Sequence, residues 1–115
     1  MAGGKNMSSR NKGKYGERYF VNLLKPIFPK AKRNLMEQTR DGGVDIEGTD
    51  GWSFEVKYGK QCNIKKIEGW MDQLKGEAKK GDYQALLIKG LRRKPLVIMP
   101  FDDWMTMLEF NEAKK

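Results

Sequence analysis

An uninterrupted apolar run, Ala85–Ile88, follows a segment with a helical pattern, which itself follows a β-prone segment. A run of this kind is typical of a central strand that is buried on both faces. The helical segment extends from Ile64 to Lys80 around an apolar stripe that includes Leu74, and Gly81 is predicted to cap its end. A strand, a crossover helix and a second strand of one sheet almost always form a right-handed unit with parallel strands. The chain is therefore predicted to contain a parallel β-α-β unit over residues 52–89.

A second constraint lies upstream, where Gly42–Ile46 and Trp52–Tyr58 flank the turn-rich segment Glu47–Gly51. Turn residues between two β-prone runs are typical of a hairpin. We expect this hairpin to fold about Asp50, so that residues at equal distances from Asp50 along the chain lie opposite one another.

In this register Asp45 lies opposite Glu55, and Lys57 follows two residues along the same strand. Directly opposed residues share a face of the sheet, with Cβ atoms about 5 Å apart. Two facing carboxylates repel one another unless a cation lies between them, so the pair beside Lys57 indicates a cation site. The alternative interpretation is an exposed cross-strand charge pattern on an open sheet face. The other face of the strand carries Phe54, Val56 and Tyr58, which are expected to enter the core.

The remaining segments complete the order helix, three strands, helix, two strands, helix. This order predicts an α/β fold in which a mixed β-sheet is flanked by helices. The further elements are a helix over Lys14–Leu24 that Pro26 stops, strands over Lys30–Thr39 and Leu96–Met99, and a closing helix that Asp102 caps and that ends near Phe110. The residues expected to dock the first and last helices are Phe20, Leu23, Leu24 and Ile27, and Trp104, Met105 and Leu108, respectively.

Length and terminal composition predict one domain with a basic arm. A chain of 115 residues corresponds to a single domain. Residues 1–11 are rich in Gly, Ser, Asn and Lys and have little to bury, so we expect a flexible arm there and a folded domain over residues 12–115. The sequence predicts neither a membrane span nor a secretory signal.

The chain contains no histidine and one cysteine, Cys62. These counts argue against a zinc site and against a histidine-based nucleophile. A bound metal would need oxygen ligands, which favour Mg²⁺, Mn²⁺ or Ca²⁺. Cys62 cannot form an internal disulfide, and this fits a reducing, cytoplasmic compartment, including that of a host cell if the protein is virus-encoded.

Positive charge is concentrated in the first part of the chain. Residues 1–40 contain 10 Lys or Arg and 2 acidic residues, whereas residues 41–115 contain 13 of each. The pattern favours a nucleic-acid-binding surface over the alternative, a solubilising surface with a disordered tail.

The acidic and basic residues of the hairpin resemble the motif of the PD-(D/E)xK nuclease superfamily. Glu55-Val56-Lys57 is similar to its E-x-K tripeptide, Asp45 to its upstream acid, and Glu17 to the extra acid that many members carry on their first helix. The αβββαβ order of that nuclease (restriction-endonuclease-like) core is similar as well. Within the superfamily the chain most resembles small archaeal-type and phage-type Holliday junction resolvases, over about residues 12–110. The proline that usually precedes the acid is Val44 here.

The resemblance implies a set of catalytic residues and a metal, Mg²⁺ or Mn²⁺. Asp45, Glu55 and the Val56 carbonyl would hold the metal, and Glu17 would bind it, directly or through water, or steer the attacking water. Lys57 would orient the attacking water or neutralise charge on the phosphate. Gln73 matches a position where many relatives keep a glutamine facing the site, although a solvated helix residue is the plainer interpretation. Glu47 is a competing ligand in the predicted register, whereas Asp50 is read as a turn residue.

The implied function is metal-dependent, structure-selective DNA endonuclease activity on branched DNA, as in recombination and repair. A resolvase must cut two symmetric strands, so the resemblance also implies a homodimer. Residues Trp70, Trp104, Met105, Met107 and Phe110 offer apolar surface for its interface or for the core. The alternatives are a nuclease for flaps, nicks, single strands or RNA, and a non-catalytic nucleic-acid-binding protein. The predicted DNA contacts are Arg10, Lys12, Lys14, Arg18, Lys32, Arg33 and Arg40.

Overall fold

The computed structural model describes residues 9–35 and 43–113, and the order of elements matches the one predicted from the sequence. In the described part of the chain, every helix is too short or too polar to cross a membrane. The elements are α1 (Ser9–Leu24), β1 (Lys32–Arg33), β2 (Ile46–Glu47), β3 (Trp52–Tyr58), α2 (Ile64–Glu77), β4 (Tyr83–Lys89), β5 (Leu96–Ile98) and α3 (Phe101–Ala113).

A mixed three-stranded sheet has the order β3-β4-β5. β3 and β4 are parallel, with Phe54 beside Ala85 and Lys57 beside Ile88, and β5 is antiparallel to β4. Residues 85–88 of the central strand are buried. The structure therefore confirms the parallel pair, the central apolar strand and the α/β class.

The predicted hairpin is wrong in its pairing. β2 pairs with β1 in a separate two-stranded sheet, with Lys32 opposite Glu47. The physical reason lies at Gly48, which adopts φ +82° and packs so closely on the Lys30 carbonyl that a Cβ would overlap it. This contact fits the pairing of β2 with β1. The segment still packs against β3, because Ile46 lies in one cluster with Phe54 and the Trp52 N–H donates to the Thr49 carbonyl at 2.9 Å.

Helices α1 and α2 cover opposite faces of the three-stranded sheet. Phe20 and Val21 of α1 pack in one cluster with Phe54 and Val56, which confirms that these β3 side chains point into the core. On the other face, Leu74 of α2 packs with the β4 residues Leu86 and Ile88.

The predicted stripe of α1 is only partly right, because Leu23 and Ile27 are exposed. The buried side of the helix instead follows Gly16, Phe20 and Val21. Gly16 lacks a side chain and lets α1 approach β3 closely, and Leu24 packs against the same cluster. Leu23 lies at the edge of this face, and Ile27 lies beyond the end of α1.

Several boundaries also differ from the predictions. α1 begins at Ser9, within the segment predicted as an arm, of which residues 1–8 lie outside the described part. Within the described part of the strand predicted over Lys30–Thr39, only the two residues of β1 are extended strand. Residues 36–39 lie outside the described part. α2 ends at Glu77 with Ala78 as its C-cap, so Gly81 does not cap it and instead lies in the next turn with φ +88°.

The residues predicted to pack helix α3 against the core do not do so. Trp104, Met105 and Leu108 are 45, 39 and 37% exposed and belong to neither core cluster. The helix begins at Phe101, so Asp102 lies in its first turn and is not the residue that caps it. α3 therefore presents an apolar face at the surface.

Two glycines of α1 provide a matched test of the packing against β3. A Cβ at Gly16 would lie 2.5 Å from the Tyr58 Cβ, whereas a Cβ at Gly13 would meet no atom within 4 Å. We expect Gly16→Ala to lower the free energy of unfolding by about 1–2 kcal/mol, because overpacking outweighs the gain in helix propensity. Gly13→Ala should raise it by about 0.5–1 kcal/mol. Urea denaturation measures both changes, and a stabilised Gly16→Ala variant would contradict the close approach.

Candidate active site

Asp45 is held against β3 by two hydrogen bonds that lie on either side of Glu55. Its backbone N–H donates to the Phe54 carbonyl at 3.2 Å, and its Oδ2 accepts from the Val56 N–H at 2.8 Å. The carboxylate thus occupies the position that a neighbouring strand's carbonyl would take. It accepts the Val56 N–H on the edge of β3 away from β4, and Asp45 itself is only 9% exposed.

The Val56 carbonyl belongs to the same edge of the strand. In an extended strand the N–H and C=O of one residue point to the same side, and the Val56 N–H points to Asp45. Its carbonyl therefore faces away from β4, toward the segment that carries Asp45. The carbonyl thus lies next to Asp45, and its role as a metal ligand stays a prediction.

Glu55 lies on the opposite face of β3 from Phe54 and Val56 and is 6% exposed. Its Oε2 lies 3.3 Å from the Lys57 Nζ, and its Oε1 has no hydrogen-bond partner in the described part of the chain. The pKa of Glu55 is raised to about 7, first by burial and then by the negative charge of Asp45, while Lys57 opposes the shift. The structure thus brings Asp45, Glu55 and Lys57 together, as the sequence predicted, although without the predicted ladder.

Lys57 is held between an anion and an aromatic ring. Its side chain is 15% exposed, and its Nζ lies over the Trp70 ring of α2, 5.0 Å from the ring centroid. A cation in this position gains from both the carboxylate and the ring quadrupole. The ammonium group is therefore fixed next to Glu55.

Glu17 has a different environment from the one predicted. It is 8% exposed, and its Oε1 accepts a hydrogen bond from the Arg33 Nε at 2.8 Å. This buried ion pair joins α1 to β1 and engages two predicted functional residues with one another. Ligation of a metal by Glu17 stays a prediction.

Gln73 is exposed, and its Nε2 donates to the Glu77 Oε1 at 2.9 Å. Glu77 is a residue that the sequence analysis missed, and its charge contributes to the raised pKa of Glu55. The spacing of Trp70, Leu74 and Glu77 was the available signal, because it places all three on one side of α2.

The remaining predicted residues have another ion-pair partner, lie on α1 or in a turn, or fall outside the described residues. Glu47 pairs with Lys32 at 3.3 Å, so it is engaged in the β1–β2 sheet, and Asp50 is exposed in the turn. Lys14 and Arg18 are exposed on α1 and Lys12 is half-buried there. The Arg10 side chain and Arg40 lie outside the described residues.

The pair of carboxylates fits a hard divalent cation. The Asp45 carboxylate is bonded to the edge of β3 and its charge acts on Glu55, whose buried Oε1 has no partner among the described residues. Over residues 9–35 and 43–113, no three His, Cys, Asp or Glu side chains form a group that could hold a metal. The protein ligands available here are therefore two carboxylates and a carbonyl, and a cation such as Mg²⁺ would keep several waters.

Comparison with known proteins adds no relative, because no family model, curated protein or solved structure matches the chain.

Replacing Glu55 with Gln is expected to stabilise the metal-free protein at pH 8. Because the pKa is raised from 4.5 to about 7, the folded state binds the proton more tightly than the unfolded chain does. The stabilisation from protonation is complete below pH 4.5 and disappears as the pH rises to about 7. At pH 8, Glu55→Gln should raise the free energy of unfolding by up to about 3 kcal/mol, and the gain should vanish at acidic pH.

Urea denaturation in EDTA over a pH series measures this effect. Glu68→Gln is the matched control, because Glu68 is exposed on α2. Parallel pH profiles for the wild type and Glu55→Gln would contradict the buried, proton-binding state of Glu55.

Proposed function

We propose that this protein is a divalent-metal-dependent DNA endonuclease that hydrolyses phosphodiester bonds in branched DNA, as Holliday junction resolvases do. One observation carries the proposal. Two buried carboxylates, Asp45 and Glu55, lie beside a fixed ammonium group, and one oxygen of Glu55 has no partner in the described part of the chain.

An exposed charge pattern would explain these residues less well. Charges on an open sheet face are solvated and cost little, whereas Glu55 is buried and its pKa is raised to about 7. At neutral pH this arrangement weakens the fold, so a structural role alone does not account for it. A site that binds a cation does, because the cation compensates both negative charges.

The residues of the site have distinct roles in the proposed hydrolysis. Asp45, Glu55 and the Val56 carbonyl would hold Mg²⁺ or Mn²⁺, and a metal bound there activates water and screens the phosphate charge. The Lys57 Nζ, 3.3 Å from Glu55, provides a fixed positive charge for the phosphate oxygens as negative charge develops. The water oxygen forms a bond to phosphorus while the bond to the leaving oxygen breaks. Gln73 would act on this site only through Glu77.

Charge distribution supports DNA as the substrate. The net charge of +8 is carried by residues 1–40, and Lys14 and Arg18 of α1 are exposed. Contacts with phosphates provide affinity without reading base sequence. This favours recognition of DNA shape, as required of a structure-selective nuclease.

A homodimer is part of the proposal, because paired cuts in two symmetric strands require two sites. The apolar face of α3 supports a second copy as its partner. Trp104, Met107 and Leu108 line a surface cavity of about 400 Å³, while Asp102 and Thr106 lie on the polar side of the helix. An exposed apolar face of this kind on a helix is typical of a protein–protein interface.

Asp45→Asn is expected to lower cleavage of a labelled four-way junction at least about 100-fold, because a charge at the metal site is lost. Asparagine keeps an oxygen that can accept the Val56 N–H, so the fold should be retained. The assay compares nicking in Mg²⁺ with nicking in EDTA, and paired symmetric nicks should require both Mg²⁺ and Asp45. Asp50→Asn is the control, since Asp50 is exposed in the turn.

Three other results of this assay would change the proposal. Binding without cleavage in Mg²⁺ and in Mn²⁺ would overturn the enzyme and leave a junction-binding module. Equal cleavage of linear, flap and single-stranded DNA would keep the nuclease and remove the preference for junctions. Full activity of Asp45→Asn would show that the site around Asp45 is not the active site.

Met107→Glu is expected to convert a dimer into a monomer, because it places a charge in the apolar cavity of α3. Thr106→Glu adds the same charge on the polar side of the helix and should leave the dimer intact. Sedimentation velocity over a concentration series distinguishes the two states. A wild-type protein that is monomeric at all concentrations would contradict the proposed interface.

A further inference from the structure

A basic groove of about 470 Å³ opens directly beside Lys57. Its walls come from α1, β3, α2 and the connector over residues 59–63, and in the described part of the chain none of its lining residues is acidic. Lys12 comes from α1, Lys57 from the end of β3, Lys60 from the connector, and Lys66 and Trp70 from α2. Four ammonium groups therefore border one groove.

The lysines of the groove other than Lys57 are not neutralised within the described residues. Lys12, Lys60 and Lys66 form no ion pair there. Like charges that converge from separate elements repel one another, and the positive end of the α2 dipole adds to their field. An anionic ligand would relieve this repulsion.

Lys57 connects the groove to the candidate active site. Its Nζ lies 3.3 Å from Glu55 on one side and over the Trp70 ring on the other. A chain of phosphates that presents one phosphate to Lys57 would therefore continue into the groove, where the indole ring offers an apolar wall to sugar or base.

We propose that this groove holds the sugar–phosphate backbone of the nucleic-acid strand adjacent to the cleaved bond, with its phosphates on Lys12, Lys60 and Lys66. The inference rests on the proposed nuclease function, because Lys57 is shared by both sites. It adds a path for the strand beyond the predicted surface of α1, which carries the exposed Lys14 and Arg18.

The salt dependence of binding tests this path without any cleavage. A fluorescently labelled four-way junction is titrated in EDTA at several salt concentrations with the wild type and with Lys60→Gln/Lys66→Gln. Each lost phosphate contact reduces the slope of log K against log salt by about 0.7–0.9, so the double variant should lose about 1.4–1.8. The matched control is Lys75→Gln/Lys80→Gln, which removes two exposed lysines outside the groove and should leave the slope unchanged.

Tryptophan fluorescence gives a second readout of occupancy. Binding of the junction should change the emission of the wild type and of Trp104→Phe, whereas Trp70→Phe should lose that change. An unchanged response in Trp70→Phe would overturn the contact with Trp70.

Outcomes for the groove and for the nuclease can be separated. An unchanged slope in Lys60→Gln/Lys66→Gln, an equal loss in the control pair, or no binding of the junction by the wild type would overturn the groove. A protein that shows the expected loss of slope but never cleaves DNA in Mg²⁺ would retain the groove and lose the nuclease.

Discussion

The hydrogen bond from the Val56 N–H to the Asp45 carboxylate is the interaction on which the site depends. It fixes a side chain of a short connecting segment to the edge of the parallel pair β3 and β4. The same bond satisfies an edge that would otherwise be open to another strand. Because the Asp45 N–H also bonds to the Phe54 carbonyl, the carboxylate has little freedom to turn away from Glu55.

This placement creates an electrostatic conflict that the fold does not fully resolve. Glu55 is buried near a second negative charge, and Lys57 compensates only one of its two oxygens. Proteins usually neutralise such a carboxyl by protonation or supply it with donors. None of the described residues donates to Oε1, and the proposed cation site rests on this oxygen.

The sequence was sufficient for features that depend on local patterns, and insufficient for those that depend on packing between distant segments. The apolar run 85–88 and the helix before it determine the parallel pair, and alternation along β3 separates Glu55 from Phe54. The pairing of β2 could not be predicted, because it depends on the close contact between Gly48 and Lys30. Likewise, the Glu17–Arg33 pair joins residues 16 positions apart, and neither residue has a periodic signal that points to the other.

The position of Lys57 also determines how the buried charge of Glu55 is balanced in the free protein. Its ammonium group acts as an internal counter-ion for Glu55 and is kept in reach by the indole of Trp70. In the proposed mechanism, a cation bound at Glu55 would compete with the lysine for the same carboxylate. It would free the ammonium group for a phosphate, so binding of the metal would prepare Lys57 for the substrate.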